Sequence, residues 1–530
     1  MGISINRFLL MAAGVASIAG VSCQKKNDNS PNVLLIIADD LGFFDLSHTG
    51  SQFYETPNLD RLAKVSADFI HGYTTSPVCS PARASIMTGQ FAPRHGITDW
   101  IGAHVGEEWR RAGRHSRLLP PDYKRHLPFE NVTLGKAMSE AGYKTFYAGK
   151  WHIGKEGSWP EDHGFDVNVG GWDSGSPRGG YFDPFDNPTL ENRKPGENLS
   201  WRLADETAQY FMENNPNETG KPIFAVLSFY AVHSPLQTTQ EKWRKYRDRA
   251  EELGIAEYAF EMDYFLPNRL VQDNPVYAGL VEAMDDAIGL ILDALEELGL
   301  DDNTIVIFTS DHGGVSAGDA FATSNLPFRN GKGYVYEGGL RVPYFIKVPG
   351  LTDLHLVFET PVTGADFYPT ILDLVGAELK PEEHLDGVSL LPLISGEQID
   401  GRSLFWHYPH YGNQGGRPSS VIRKGNWKLI YCYETETHEL YNLWSDISET
   451  RNLATLFPDK VTQLNNELFD YLEQVGARFP EKDPLYNEVA ERAHLQRIRE
   501  NRMPALEQQR LNFLSPDFDP GNNWWGSQVD

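Results

Sequence analysis

Apolar positions along this chain fall into two recurrent patterns, short unbroken runs and longer stretches with helical spacing. Val33-Leu34-Leu35-Ile36-Ile37-Ala38 is an unbroken run of strand length. A strand with one wet face alternates apolar and polar residues, so an unbroken run implies cover on both faces and a central parallel strand. Similar runs recur at Thr145 to Ala148, Ile223 to Phe229 and Thr304 to Thr309. Between the last two, Ala283, Ala287, Ile288, Ile291, Leu292 and Leu295 keep a helical period within Tyr277 to Leu298. Another helix is predicted over Thr56 to Ser66, with Thr56 as cap and Pro57 in the first turn. Strands alternating with helices predict an α/β fold, a doubly wound and mostly parallel sheet. In such sheets ligands sit beyond the carboxyl ends of the strands.

Near residue 400 the pattern changes. Val421 to Tyr431 reads as a hairpin turning at Lys424 to Asn426, His438 to Leu443 as a further strand, and Val461 to Val475 as an amphipathic helix. The predicted division is a main domain over 31–400, a smaller antiparallel-sheet α+β subdomain over 401–510 and a tail over 511–530. Trp524 and Trp525 are expected to fold back over the main domain, since exposed tryptophan pairs are unusual. Two irregular stretches, the basic one from about Ile101 to Phe129 and the Gly-, Pro- and aromatic-rich one from Gly170 to Arg193, read as long functional loops.

The composition of the 530 residues is that of a globular protein, with a formal net charge of −26. Non-specific nucleic-acid binding needs a basic face, so no nucleic-acid partner is expected. At the start, Arg7 precedes an apolar run from Phe8 to Val21 that is too short for a membrane span and reads as an export signal. Cys23 and the polar residues after it resemble a bacterial lipoprotein signal over residues 1–23. Gly20 departs from the usual aliphatic residue, which leaves ordinary cleavage as the alternative. The expected location is the periplasm or outer membrane of a Gram-negative bacterium, with membrane contact only through that lipid. Two cysteines remain, Cys79 and Cys432. A disulfide between them would consume Cys79, whose surroundings point elsewhere.

Cys79 lies in Ser76-Pro77-Val78-Cys79-Ser80-Pro81-Ala82-Arg83, with Ser80-Pro81 reading as the first turn of a helix. A thiol there is activated by the helix dipole, and Arg83, one turn on, is placed to return its cation to Cys79. Asp39-Asp40 and Asp311-His312 each end an apolar run and precede glycine-containing turns. Adjacent buried acids repel unless a cation neutralises them, so these four form a candidate metal site. Lys150 and His152 follow another run and are expected on a strand, facing one way. His233 follows the Ile223 run, and Lys332 sits between glycines, where backbone approaches a ligand closely.

The extended motif Cys79-Ser80-Pro81-Ala82-Arg83 with Ala84-Ser85-Ile86-Met87-Thr88-Gly89-Gln90 resembles the signature of formylglycine-dependent sulfatases, in the alkaline-phosphatase-like superfamily. The order of the other blocks matches that family across most of residues 31 to 350. The resemblance implies that Cys79 is oxidised to formylglycine, by a formylglycine-generating or an anaerobic sulfatase-maturing enzyme. It implies one divalent cation, most simply Ca²⁺, bound by Asp39, Asp40, Asp311, His312 and the modified Cys79. Many relatives carry Asn at the position of His312. In the implied chemistry the aldehyde hydrate attacks sulfur with help from Asp311, while Arg83, Lys150 and Lys332 offset charge. His233, alone or with Lys332, protonates the leaving oxygen and His152 takes the second hydroxyl proton. The expected substrate is a sulfated polysaccharide or oligosaccharide, with galactose or N-acetylgalactosamine sulfate favoured. It would be met by Trp109, the Trp172-Asp173 region, Arg178 and the Arg402 to Arg417 stretch. The alternatives are a phosphatase or phosphonate monoester hydrolase of the same superfamily, and an inactive glycan-binding lipoprotein.

Overall fold

The computed structural model describes residues 30–520. Its centre is the strand Asn32–Ala38, every residue of which is buried. It pairs in parallel with Thr304–Ser310 on one side and Ile223–Ser228 on the other, so that Leu35 lies level with Ile307 and Val226. Lys144–Gly149 and Val167–Val169 extend one side. Tyr344–Lys347, Ala67–Phe69 and Leu356–Phe358 extend the other. In this eight-stranded sheet Tyr344–Lys347 alone runs against the rest.

The unbroken apolar run is explained by cover on both faces. Leu34 and Ile36 pack with the helices Leu199–Glu213, Gln240–Leu253 and Pro275–Glu297. Val33, Leu35 and Ile37 pack with Cys79–Thr88, Leu134–Glu140 and Phe367–Leu374. The expected helix over Tyr277 to Leu298 begins two residues earlier, because the Asn274 side chain caps Val276 and Tyr277 and Pro275 fills the first turn. The expected helix from Thr56 ends at Ala63, and the Thr56 hydroxyl accepts from the Ser47 N–H at 3.0 Å rather than from the helix.

A four-stranded antiparallel sheet follows, Ser403–Tyr408, Ser419–Lys424, Trp427–Cys432 and Thr437–Asn442 in that spatial order. Its hairpin turns at Gly425-Asn426, where Gly425 takes φ 58°. Leu464, Leu468 and Leu472 of the helix Pro458–Gln474 pack on Leu404, Trp406, Val421 and Leu429. Trp406 also donates Nε1–H to the Thr74 carbonyl at 2.7 Å, which joins this sheet to the segment just before Cys79. At the end of the helix Met503–Leu514 and just beyond it, Phe513, Leu514 and Phe518 join the core of the large sheet, and Trp243 donates to the Phe513 carbonyl at 2.9 Å. The signal segment with Cys23, and Trp524 with Trp525, lie outside the described residues. Among the described residues no helix is long and apolar enough to cross a membrane.

Ile36 is fully buried in the middle of this sheet. Ile36→Ala is expected to cost about 3 kcal/mol. A denaturant midpoint equal to that of the parent protein would contradict the assignment of this strand to the centre of the core.

Candidate active site

Four neighbouring strands end on one patch. Thr304–Ser310 delivers Asp311 and His312, and Asn32–Ala38 delivers Asp39 and Asp40. Lys150 and His152 follow Lys144–Gly149, and His233 lies five residues past Ile223–Ser228. Ladder hydrogen bonds continue past the strands, Asp311 N to Ala38 O at 3.0 Å and Lys150 N to Ser228 O at 2.7 Å, and they hold these residues in register. The helix Cys79–Thr88 points its N-terminus at the same patch and is buried throughout. The loop carrying Lys332 closes over it. Gly331 permits this approach, since a Cβ there would stand 2.1 Å from the Gly314 carbonyl oxygen.

The carboxylates meet cations on every side. Lys150 Nζ lies 2.7 Å from Asp39 Oδ2, Lys332 Nζ 2.8 Å from Asp40 Oδ1, and Arg83 Nε 2.9 Å from Asp311 Oδ2. Burial pushes Asp39 well above the usual carboxylate range; Lys150 opposes this, and the neighbouring charges of Asp311 and Asp40 reinforce it. For Asp40 burial is outweighed by His233 and Lys332, which hold it at about 2. Asp311 is likewise held low against burial, by His312 and Arg83. His312 is raised to about 9, because Asp311 and Asp40 outweigh its desolvation.

At the centre, Cys79 Sγ lies 3.4 Å from His152 Nδ1. The His152 Nε2 lies 3.2 Å from the Ile101 carbonyl oxygen, which can only accept. In the neutral ring Nε2 therefore carries the hydrogen, and Nδ1 turns a lone pair on the side chain at position 79. Ser80 fixes both neighbours, donating to the His152 carbonyl at 2.8 Å and accepting from Ile101 N–H at 2.9 Å. Gly175 lies against the ring, where a Cβ would come within 2.4 Å of His152 Cε1. Burial disfavours a Cys79 thiolate, but Lys150 and His152 outweigh it and hold the thiol well below its usual range. His233 donates Nδ1–H to the Ser234 carbonyl at 2.8 Å and points Nε2 toward Asp40 Oδ2 at 3.8 Å. Burial lowers it to about 4.

Asp39, Asp40, Asp311 and His312 bring one ligand atom each to within 4.8 Å of one another. Asp39 Oδ1 and His312 Nε2 are buried there with no hydrogen bond. Buried polar atoms are nearly always partnered, so converging unpartnered ones fit a bound cation. Three carboxylates suit a hard divalent ion, and the imidazole widens the choice.

Every residue singled out in the sequence for catalysis or metal binding reaches this patch, but three by other means than expected. The strand ends at Gly149, so strand alternation does not orient Lys150 and His152. His152 sits instead in a left-handed turn at φ 55°. Arg83 does not return to Cys79; it reaches past it to Asp311, Ser228 Oγ at 2.6 Å and the Lys150 carbonyl at 2.9 Å. The helix starts at Cys79 itself, with Ser80 and Pro81 inside its first turn. Asp319 went unnoticed in the sequence, where an isolated Asp after Ala-Gly carries no signal. It lies 3.2 Å from Lys332 Nζ and accepts from Gln414 Nε2 at 2.6 Å.

The patch opens into a cavity of about 360 Å³ reached by Cys79, His152, His233 and Lys332, with Asp173, Arg178, Asn413 and Gln414 at its walls. Trp109 is not among them. The stretch read as a free loop carries the short helix Gly106–Arg111 and a strand pairing Leu118–Leu119 with Glu481–Lys482. Trp109 is 7 % exposed, stacks on Tyr411 at 5.6 Å and donates to Ser116 Oγ, so it belongs to a small core and offers no open face to a sugar. Trp172 is covered by Arg178, whose guanidinium lies 5.0 Å above the ring.

A doubly wound sheet with this acidic and cationic cluster at its strand ends has the architecture of the alkaline-phosphatase-like superfamily. The sulfatase family profile matches residues 31–377, and a profile for the C-terminal part of N-sulphoglucosamine sulphohydrolase matches residues 330–478. The chain belongs to the sulfatase family and is a sulfuric ester hydrolase. It is 32 % identical to a sulfatase of Formosa agariphila over 88 % of this chain and 93 % of that protein. It is 28 % identical to the mouse N-acetylgalactosamine-6-sulfatase, over 85 % of this chain and 82 % of the relative. Among solved structures, Ps i-CgsB in complex with k-i-k-neocarrahexaose superposes with a TM-score of 0.68 at 25 % identity, over 91 % of this chain and 99 % of that one.

If the four residues hold a divalent ion, chelated protein is expected to melt at a higher temperature once Ca²⁺ is restored. A ligand at a hundred times its dissociation constant adds about 2.7 kcal/mol. Asp39→Asn and Asp311→Asn should each remove most of the shift, and an undiminished shift in both would place the ion elsewhere.

Proposed function

We propose that this sulfatase removes O-sulfate from a sulfated oligosaccharide or polysaccharide, with galactose or N-acetylgalactosamine sulfate favoured, and that it acts after export. The observation that carries the reading is Cys79 on the floor of a walled cleft, with Lys150, His152, His233 and Lys332 converging on it. Relatives named for N-acetylgalactosamine 6-sulfate and a structural neighbour holding a neocarrahexaose support a carbohydrate substrate.

Cys79 is the precursor of formylglycine, whose hydrate supplies the oxygen nucleophile. The Cys79–Thr88 helix is buried throughout, so a maturing enzyme would meet this segment before it packs. A divalent cation on Asp39, Asp40, Asp311 and His312, most simply Ca²⁺, would supply positive charge beside the sulfate and the nucleophilic oxygen. Lys150 and Lys332, already held against Asp39 and Asp40, place ammonium groups where sulfate oxygens gain charge. Arg83 acts one step removed, fixing Asp311 and the Lys150 backbone. His152 Nδ1 is oriented to accept a proton from a hydroxyl at position 79. His233 Nε2 is placed to give one to the departing oxygen. An anionic ester beside His233 favours its charged form and moves its pKa up from about 4 toward the range a general acid needs.

Cys79→Ala is expected to lower sulfate release by at least about a thousandfold. Intact mass of the parent protein should show the thiol sulfur exchanged for oxygen. His233→Ala should cost about 10²- to 10⁴-fold on a sugar sulfate and far less on an aryl sulfate, whose leaving group needs no proton. Cys79→Ala protein that still releases sulfate would end this reading, and a phosphate ester cleaved faster than its sulfate counterpart would replace it with the phosphatase alternative.

A further inference from the structure

The cleft above Cys79 does not end at its own walls. Asp319 and Asn413 line it on one side and also line a second cavity of about 330 Å³. That cavity runs between Trp109, Arg114 and the C-terminal segment at His494 and Arg502. Asp319, His494 and Arg502 in turn border a third cavity of about 550 Å³, which Arg497 also reaches. The three form one trough leading from the reaction centre along the helix Glu488–Arg497 and the π-helical turn Ile498–Arg502. Single π-helical turns of this kind recur at functional sites.

The lining of the outer trough is cationic in a protein whose formal charge is −26. Arg114 donates to Asn413 Oδ1 at 3.0 Å and lies 5.1 Å above the Trp109 ring, while Arg502 lies 5.2 Å from the Phe321 ring. Neither these two nor Arg497 has a carboxylate partner within ion-pair distance among the described residues, although most other arginines of the molecule do. His494 is lowered by burial and then by Arg497, Arg114 and His115, so these cations lie near one another, with Glu491 and Asp319 the carboxylates in the same lining. Unpaired like charges gathered in one hollow repel and are costly unless an anion completes them. Guanidinium forks held against aromatic rings suit planar or tetrahedral oxyanions.

We propose that the outer trough is a second anion subsite, binding a further sulfate on the same glycan chain whose first sulfate lies over Cys79. This rests on the carbohydrate-sulfatase reading and adds to it that the substrate is a chain with more than one sulfate. Asp319 and Asn413 mark the passage between subsites. Gln414, which donates to Asp319, and Asn413, which accepts from Arg114, keep that passage in place. A chain held at two points gains affinity without any new contact at the reaction centre.

The test is calorimetric binding to Cys79→Ala protein, which turns nothing over. The probes are ι-carrageenan, chondroitin sulfate and heparin tetrasaccharides, galactose 6-sulfate and a tetragalacturonate. At least one sulfated tetrasaccharide is expected to bind about tenfold or more tighter than the monosaccharide sulfate. Adding Arg114→Ala and Arg502→Ala should abolish that gain while leaving the monosaccharide affinity within about twofold, which also reports that the protein is folded. The proposal is overturned if no sulfated tetrasaccharide outbinds the monosaccharide, or if the gain survives both substitutions. It is overturned too if tetragalacturonate binds as tightly, since the subsite would then read carboxylates. Failure of the underlying reading has a separate signature: parent enzyme, with no residue substituted, that releases sulfate from an aryl ester but from no sulfated sugar.

Discussion

Everything at the site depends on keeping three buried carboxylates together. Asp39, Asp40 and Asp311 end adjacent strands and are essentially inaccessible to water. Left to themselves, such groups would protonate or push the strand ends apart. The chain surrounds them with Lys150, Lys332 and Arg83, each within 2.9 Å of a carboxylate oxygen. Buried ion pairs of this kind contribute little net stability, because desolvation offsets their attraction. Their value is positional. Cations that balance the acids in the resting protein already stand where they can meet the sulfate of a substrate.

The backbone enforces this arrangement more than any single side chain does. Parallel strands in register release Asp39, Asp311 and Lys150 at the same height, and ladder hydrogen bonds carry that register past the strand ends. The Cys79–Thr88 helix then comes in from the side and is tied down by Ser80, whose hydroxyl links residues 101 and 152. Those are the residues that orient the imidazole facing Cys79. A serine beside Cys79 thereby sets the tautomer of a histidine seventy-two residues further along the chain.

The sheet was legible because its pattern is a direct physical consequence of burial. An unbroken Val-Leu-Leu-Ile-Ile run has no stable place except between two layers, and Leu34 and Leu35 indeed enter opposite clusters. The site residues were legible because acids at the ends of such runs have few purposes. What could not be read was the direction of side chains outside regular structure. Strand periodicity was extended three residues too far, through Lys150 to His152, where a left-handed turn takes over. Helical spacing put Arg83 near Cys79, but a guanidinium follows its strongest hydrogen-bond partners, and a buried carboxylate outcompetes a thiol. Asp319 had no local pattern at all, because its meaning comes from Lys332 and Gln414, thirteen and ninety-five residues away.

The smaller sheet has a place in the same logic. Its strands turn Trp406 onto the Thr74 carbonyl, just ahead of the Cys79–Thr88 helix, and the loop after its first strand sends Asn413 and Gln414 into the cleft wall. Arg110, paired to Asp483 at 2.7 Å, and Arg114, bonded to Asn413, bind the basic stretch near residue 110 to chain more than 290 residues further on. The outer wall of the cleft is therefore assembled from segments far apart in sequence, while the reaction centre is built from strand ends. Changes in the wall can alter which sulfated molecule fits without moving Asp39, Asp311 or Cys79. A net negative protein can still take an anionic substrate, since the local field along the cleft is set by the few cations that line it, Lys332 and Arg178 near Cys79 and Arg114 and Arg502 beyond, rather than by the total charge.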